Sequence, residues 1–383
     1  MDALISGLAI LALIMLFLGS GVWVFAGLLL VSSTGLWLLE DFSPARIASI
    51  LGLSVRNSAQ SWELAAIPLF IWMGEMIFRT DISARLFRGL SPLVARVPGG
   101  LIHTNVAGST LFAAVSGSSA ATTATIGKIT TVELRERGYD INLSVGSLAG
   151  AGSLGLLIPP SIVMIIYGVL AEVSISRLFA AGVVPGLIVA ALYMSYIGLR
   201  CALDPRKAPE QERTGLATVV TDLGPVLILI AIVLGSIYSG LATPSEAAAV
   251  GAGATLAVTL AMRQMSWRLF SDSLLGAVRV SCMVCIILVA AAFLSSAMGF
   301  MHVPQDVAGA IAAAEIGPYE LILILAGFYI LLGLFLDGIS IIVMSLPITL
   351  PVVLSMGFDP IWFGVFLVLM VELGQMTPPI GFN

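Results

Sequence analysis

The stretch LGQMTPPIG, residues 373–381, lies in an apolar run long enough to cross a bilayer, yet it carries two consecutive prolines. Pro378 and Pro379 have no backbone N–H and their rings collide with the preceding turn, so an α-helix cannot pass through them undisturbed. The device occurs a second time. LGLLIPPSI, residues 154–162, falls on it without gaps under an offset of 219, which carries Leu154 to Leu373, Gly155 to Gly374, Pro159 to Pro378 and Pro160 to Pro379. The same offset carries RGYD (137–140) onto MGFD (356–359), so each turn stands 19 residues before its break, Asp140 before Pro159 and Asp359 before Pro378. A turn, a spacing and a broken helix repeated in one register predict two related halves.

The 383-residue chain is 59% hydrophobic and 10% charged, with a mean hydropathy of +1.08. That is the profile of a polytopic membrane protein built of helices. Spans are predicted near 178–199, 222–239, 244–262 and 280–300. The first apolar segment, LISGLAILALIMLFLGSG, has no basic region before it and no small-residue cleavage site after it, and reads as a retained helix. A net charge of −5 and the lack of a basic, aromatic-laced cluster exclude nucleic acid as a partner. Cys282 and Cys285 form a C-x-x-C without further ligands nearby and read as small packing residues.

Charge orients the halves. Lys128, Arg135 and Arg137 precede the first turn, and RTDISARLFRGLSPLVARVPGG adds Arg79, Arg85, Arg88 and Arg96, which places that side in the cytoplasm. No Lys or Arg occurs from 280 to 383, so the second turn and the segment MHVPQDVAGAIAAAEIGP face outward. The repeats are therefore inverted. The N-terminal part fits less well, because Arg46 and Arg56 fall in a loop that this topology puts outside. Residues 101–115 are apolar, SGSSAATTATIG follows at 116–127, and the chain is basic again by Lys128, which is too short for two crossings and predicts a re-entrant hairpin. Its counterpart enters from outside with LDGIS at the tip, near 335–340. Backbone of this kind is tolerated at membrane depth only when buried in protein or lining a wet cavity.

Two tips and two broken helices arriving from opposite faces can converge near the bilayer centre. Each break frees carbonyls, which suit a hard cation, and sets a half-helix N-terminus beside them, which suits an anion. This is the design expected of an ion-coupled secondary transporter. Ser116, Ser118 and Ser119 offer hydroxyls at the first tip, with close helix packing as the bland reading. Thr377 offers a hydroxyl and a carbonyl, its counterpart Ile158 backbone only. Asp337 is an intramembrane carboxylate, functional or a helix cap. Glu75 and Glu372 pair within the bundle or reach an interface, and His103 and His302 read as packing residues. A channel with re-entrant loops is the alternative, disfavoured by two opposed tips with amphipathic connectors at 79–98 and 301–318. An intramembrane hydrolase using Ser116 and His103 lacks the G-x-S-x-G pattern, and GKIT (127–130) is not a phosphate loop.

From about residue 60 to the last, the motifs SGSSAATTATIG, RGYD, AGSLGLLIPPSIVMIIYG, TPSEAAAV, FLDGISIIVMSLPITLPV and LGQMTPPIGFN resemble the large membrane subunit of tripartite ATP-independent periplasmic (TRAP) transporters. The resemblance implies a sodium-driven importer, not an enzyme, in the bacterial inner membrane. It implies a periplasmic binding protein that delivers an organic anion, such as a C4-dicarboxylate or sialic acid, a small four-helix membrane subunit, and an elevator-type transport domain. By motif, one Na+ site takes Ser116, Gly117, Ser118 and Ser119 with carbonyls at Gly155, Ile158 and Pro160. The other takes Gly338, Thr377 and Ile380. The tips and breaks, Ser118, Ser119, Asp337 and Gly338 with Pro159, Pro378 and Pro379, bracket the substrate. The implied division is scaffold 1–78, cytoplasmic arm 79–98, transport repeat 99–198 (hairpin 116–127, broken helix 141–171), scaffold 199–300, periplasmic arm 301–318 and transport repeat 319–383 (broken helix 361–383). The first break is followed by SIVMIIYGVLA and another crossing, so the repeat predicts a half-helix and a terminal helix beyond Asn383.

Overall fold

A computed structural model describes residues 3–209 and 217–378. Among them the regular structure is helical. The chain opens with α1 (Ala3–Gly19), α2 (Val24–Glu40), α3 (Pro44–Gln60) and α4 (Ala66–Phe78). An arm, α5 (Ile82–Val94), leads to a hairpin of α6 (His103–Ser116) and α7 (Ser119–Glu136), a broken pair α8 (Ile141–Leu157) and α9 (Ile162–Leu170), and the long α10 (Ile175–Leu203). Three more helices follow, α11 (Ala217–Tyr238), α12 (Pro244–Ala261) and α13 (Trp267–Phe300). The arm α14 (Val303–Ala313), the hairpin α15 (Pro318–Gly333) and α16 (Gly338–Ser355), and α17 (Pro360–Met376) complete the described chain.

The 219-residue offset holds in the backbone. It carries both ends of α7 onto the ends of α16 and both ends of α8 onto those of α17. The intervening turns match as well, with Gly138 at φ +78° and Gly357 at φ +84°, a left-handed conformation that glycine adopts without strain. The N-caps correspond: Ser118 and Asp337 cap the outgoing hairpin arms, Asp140 and Asp359 the broken helices. Asp359 accepts from the N–H groups of Ile361 at 2.8 Å and Trp362 at 2.9 Å, with Pro360 in the first turn where no donor is needed. Asp359→Ala is expected to destabilise the protein by about 1 kcal/mol, read as a lowered Tm in detergent. With α12 counted as a span beside α8–α9, α10, α11 and α13, five crossings separate the start of α8 from that of α17, which puts equivalent points of the repeats on opposite faces.

Among the described residues five helical segments are long and apolar enough to span a bilayer: Ile141–Leu170, Ile175–Leu203, Val219–Tyr238, Trp267–Phe300 and the hairpin arm Gly338–Ser355. The broken one, Ile141–Leu170, is 89% buried within the protein, against 28% for Ile175–Leu203, so its interrupted backbone avoids lipid. Aromatic rings join the repeats: Phe363 of α17 lies 6.5 Å from Tyr167 of α9 and 6.4 Å from Tyr329 of α15. Elsewhere α2 and α4 pack on α13, α4 on α12, and α11 on α5 and α12. The TPSE motif is a capping box that starts α12, where Thr243 and Glu246 satisfy each other's backbone donors and Ser245 Oγ donates to Trp62 O at 3.1 Å.

The structure revises three expectations. The segment holding Arg46 and Arg56 is the helix α3, not a loop, because Ser43 caps it and Pro44 opens it, and Arg46 lies 3.6 Å over the ring of Phe42. The span expected at 280–300 begins at Trp267 and runs 34 residues, about 51 Å at 1.5 Å per residue, so it projects well past the hydrocarbon. The hairpin region 116–127 is non-helical only at Gly117 and Ser118, since the Ser118 hydroxyl caps a helix that starts at Ser119.

Candidate functional site

Gly117 sits at φ +63° and turns the chain out of α6. Its carbonyl accepts from Ile162 N at 3.4 Å, a backbone bond that ties the tip to the far side of the first break, and the Pro160 carbonyl approaches it so closely that a Cβ at Gly117 would stand 2.9 Å away. On the near side of the break a Cβ at Gly155 would lie 2.8 Å from the backbone of both Ser118 and Ser119. The tip is thus clamped between the two halves of its own broken helix. Its polar atoms are partly committed: Ser118 Oγ accepts from Ala121 N at 3.4 Å, and Ser116 Oγ lies 3.0 Å from Thr122 Oγ1, which donates to Ser118 O at 2.7 Å. The Ser119 hydroxyl forms no hydrogen bond among the described residues and faces the cavity described below.

The breaks act through what proline lacks. In an α-helix the carbonyl of residue i accepts from the N–H of i+4. Residues 159 and 160 are prolines, so the carbonyls of Gly155 and Leu156 have no such donor. In α17 the prolines at 378 and 379 remove the i+4 donors for Gly374 and Gln375, and the Gly374 carbonyl accepts instead from Thr377 N at 3.0 Å. Pro379 and Ile380 lie outside the described residues.

At the second tip Asp337 is exposed and serves as a cap, accepting from Ile339 N at 3.1 Å and Ser340 N at 3.2 Å and receiving the Ser340 hydroxyl. Gly338 stands where a Cβ would be 3.1 Å from Gln375 Nε2 and 3.4 Å from Leu156 Cδ1, so this tip touches both broken helices. A cavity of about 490 Å³ unites these parts. Ser116, Gly117, Ser118, Ser119, Leu156 and Ile162 line it from the first repeat, Asp337, Gly338 and Gln375 from the second. Ile71, Gly74, Glu75 and Phe78 of α4 and Met283 and Val284 of α13 close it.

Among the described residues expected from the sequence, Gly155, Ile158, Pro159, Pro160, Thr377 and Pro378 are not in that lining. Ile158 is buried in the core, and the exposed Thr377 donates its hydroxyl to Leu373 O at 2.7 Å. Glu75 pairs with Arg79 at 2.9 Å. His103 is buried with Nε2 2.8 Å from Pro98 O, a packing role. Sequence reading missed Gly74, whose Cβ would meet Ser116 O at 3.2 Å, and Gln375. A lone amide in an apolar helix, one turn after Glu372, was the available signal.

A second cavity of about 640 Å³ shares Phe78 with the first and is lined by Arg79, Lys128 and Arg268 together with Asp81 and Asp272. These basic residues mark the side that the charge pattern places in the cytoplasm. A third, of about 520 Å³, lies between α3, α9, α13 and α16 and carries Asn57, Glu63 and Glu172 without a Lys or Arg.

Residues 10–383 match the family model described as tripartite ATP-independent periplasmic transporter, DctM component. The chain belongs to the DctM family of TRAP transporters. This DctM chain is 33% identical to the C4-dicarboxylate TRAP transporter large permease protein of Pseudomonas aeruginosa, over 89% of its own length and 80% of the relative's. It is 34% identical to the isethionate TRAP transporter permease protein DctMQ of Oleidesulfovibrio alaskensis, covering 85% of its own length and 52% of that protein. With the sialic acid TRAP transporter permease protein of Haemophilus influenzae it shares 29% identity over 85% of the chain and 53% of the relative. These relatives are transporters, not enzymes, and the DctM chain is a multi-pass membrane protein. Its fold is similar to the crystal structure of the YdaH transporter of Alcanivorax borkumensis, with a TM-score of 0.61 at 12% identity, covering 87% of this chain and 77% of that one.

Proposed function

We propose that this chain is the large membrane subunit of a sodium-driven importer of an organic anion in the bacterial inner membrane. The observation that carries the reading is the single cavity at which both hairpin tips meet the first broken helix and the last turn of the second. Oxygen donors without intrahelical partners suit a hard cation such as Na+. At the first tip Ser119 supplies the hydroxyl open to the cavity, with Ser116, Gly117 and Ser118 shaping the turn and Gly155, Ile158 and Pro160 supplying backbone. At the second, Gly338, Thr377 and Ile380 play the corresponding part, Thr377 through its carbonyl. Cations at the two tips attract an anion to the space between them, where the N-termini of α7 and α16 also point. Relatives named for C4-dicarboxylate, isethionate and sialic acid transport support an anionic substrate.

The substrate arrives on a periplasmic binding protein, and a small four-helix subunit enlarges the scaffold. A permease named DctMQ, about half of which this chain spans, supports that second partner. The hairpins, α8–α10 and α17 move as a body against a scaffold of α1–α4 and α11–α13, with α5 and α14 as the connecting arms. The path past Phe78 toward Lys128 is then the release route.

Reconstitution with the binding protein tests the reading. Uptake should require a sodium gradient and show counterflow, which a channel lacks. Ser119→Ala should raise the sodium concentration for half-maximal uptake several-fold, Thr377→Val less, because the Thr377 hydroxyl is held by its own helix. Sodium-independent uptake at the wild-type rate in Ser119→Ala would refute the assignment.

A further inference from the structure

The described interior of the two repeats holds one carboxyl group that neither tip uses. Glu372 on α17 is 2% exposed and forms no ion pair among the described residues. Its carboxyl group faces backbone N–H donors at Leu156 and Leu157, and its Oε1 has no hydrogen-bond partner. One turn on, Gln375 is 3% exposed, and its amide Oε1 also lacks a partner. Residues at i and i+3 share a helix face. Glu372 meets the last turn of α8 at the Leu156–Leu157 backbone, and Gln375 lies beside Gly338, its Nε2 3.1 Å from the Cβ position there and Leu156 Cδ1 3.4 Å from the same point. The Leu156 carbonyl in that turn has no i+4 donor, because residue 160 is proline.

Two unpartnered side-chain oxygens thus lie on one face of α17, where it packs against α8. An ionised carboxylate away from water costs several kcal/mol unless a positive charge or hydrogen-bond donors compensate it. The elements packed on α17 offer no such charge: α8, α9, α15 and α16 contain no Lys, Arg or His, and α10 carries Arg177 and Arg200 near its two ends. Of the titratable groups on those elements, Tyr193 interacts with Glu372, Tyr167 donates to Pro360 O, Tyr329 is bonded to Thr349, and Glu320 caps the start of α15.

We propose that Glu372 and Gln375 form a monovalent-cation position of their own at the crossing of α8 and α17, distinct from those at Ser119 and Thr377. It takes a hard cation through the carboxylate, the amide oxygen and a freed carbonyl of α8. The cation cancels the formal charge of Glu372. The position exists once, because the first repeat has Ser153 and Leu156 at the equivalent places. The proposal rests on the breaks being cation-binding elements.

Equilibrium binding of 22Na+ to the purified protein in lipid nanodiscs tests both readings separately. Glu372→Gln keeps the side-chain shape and is expected to bind one ion fewer than wild type, and Gln375→Leu, which installs the first repeat's residue, should weaken the same ion at least tenfold. Ser119→Ala should affect a different ion, so that the double variant loses both. Unchanged ion number and affinity in both Glu372→Gln and Gln375→Leu, with a defect in Ser119→Ala, would overturn this position alone and assign a proton to Glu372. No sodium binding by wild type would overturn both readings.

Discussion

A methyl group at Gly155 or at Gly374 is expected to weaken cation binding by roughly 5- to 150-fold, the equivalent of about 1–3 kcal/mol of overpacking. The two glycines are partners under the 219-residue offset, and each admits a hairpin to the surface of a broken helix. At Gly155 a Cβ would lie 2.8 Å from Ser118 C, Ser118 O and Ser119 Cα, and at Gly374 it would lie 2.7 Å from Gly333 Cα and 2.9 Å from Ile330 O. All of these are backbone atoms, so no side chain can swing aside, and the hairpin must lift from the helix. Gly146, on the same helix as Gly155, has nothing within 4 Å of its Cβ position, and Gly146→Ala should leave binding unchanged. Sodium titration of Gly155→Ala, Gly374→Ala and Gly146→Ala checks this, with Tm in detergent as a second reading. Wild-type affinity and Tm in Gly155→Ala would show that the tip does not dock on α8.

The second large effect concerns the prolines. Replacing Pro159 and Pro160 together by alanine restores the N–H groups that the Gly155 and Leu156 carbonyls lack, and alanine is the residue most favourable to a continuous helix. The carbonyls then turn inward to the helix ladder and are withdrawn from any ligand. With about 1–3 kcal/mol lost for each oxygen removed from a charged partner, sodium affinity should fall by at least about a hundredfold. Membrane insertion should persist, because the segment stays apolar and gains backbone bonds. Circular dichroism would register the added helix while 22Na+ binding registers the loss. Binding at wild-type affinity in this double variant would remove the freed carbonyls from the mechanism.

The repeat was readable because it is ungapped: a PP pair, an aspartate cap and a G-aromatic turn each act on their own neighbours, so their meaning survives in one dimension. The same locality made the helix limits predictable wherever a cap or proline stands, as at Asp140 and Asp359. It failed where small polar residues ran together. SGSSAATTATIG looks like irregular chain, yet the Ser118 hydroxyl starts a regular helix one residue later.

Gln375 and Gly74 carried no comparable signal. An amide in an apolar helix and a glycine in another are ordinary until the fold brings the first against Gly338 and the second against Ser116 O. Glu372 likewise acquires its character from the turn at Leu156–Leu157, more than 200 residues away in the chain. The amino-acid sequence by itself settled what is local or periodic: membrane-spanning helices, two related halves, and the points at which helices must break because proline lacks a donor. The tertiary structure alone decided which freed oxygens share a cavity and which hydroxyls are already committed, since burial and proximity are properties of packed elements rather than of any one segment.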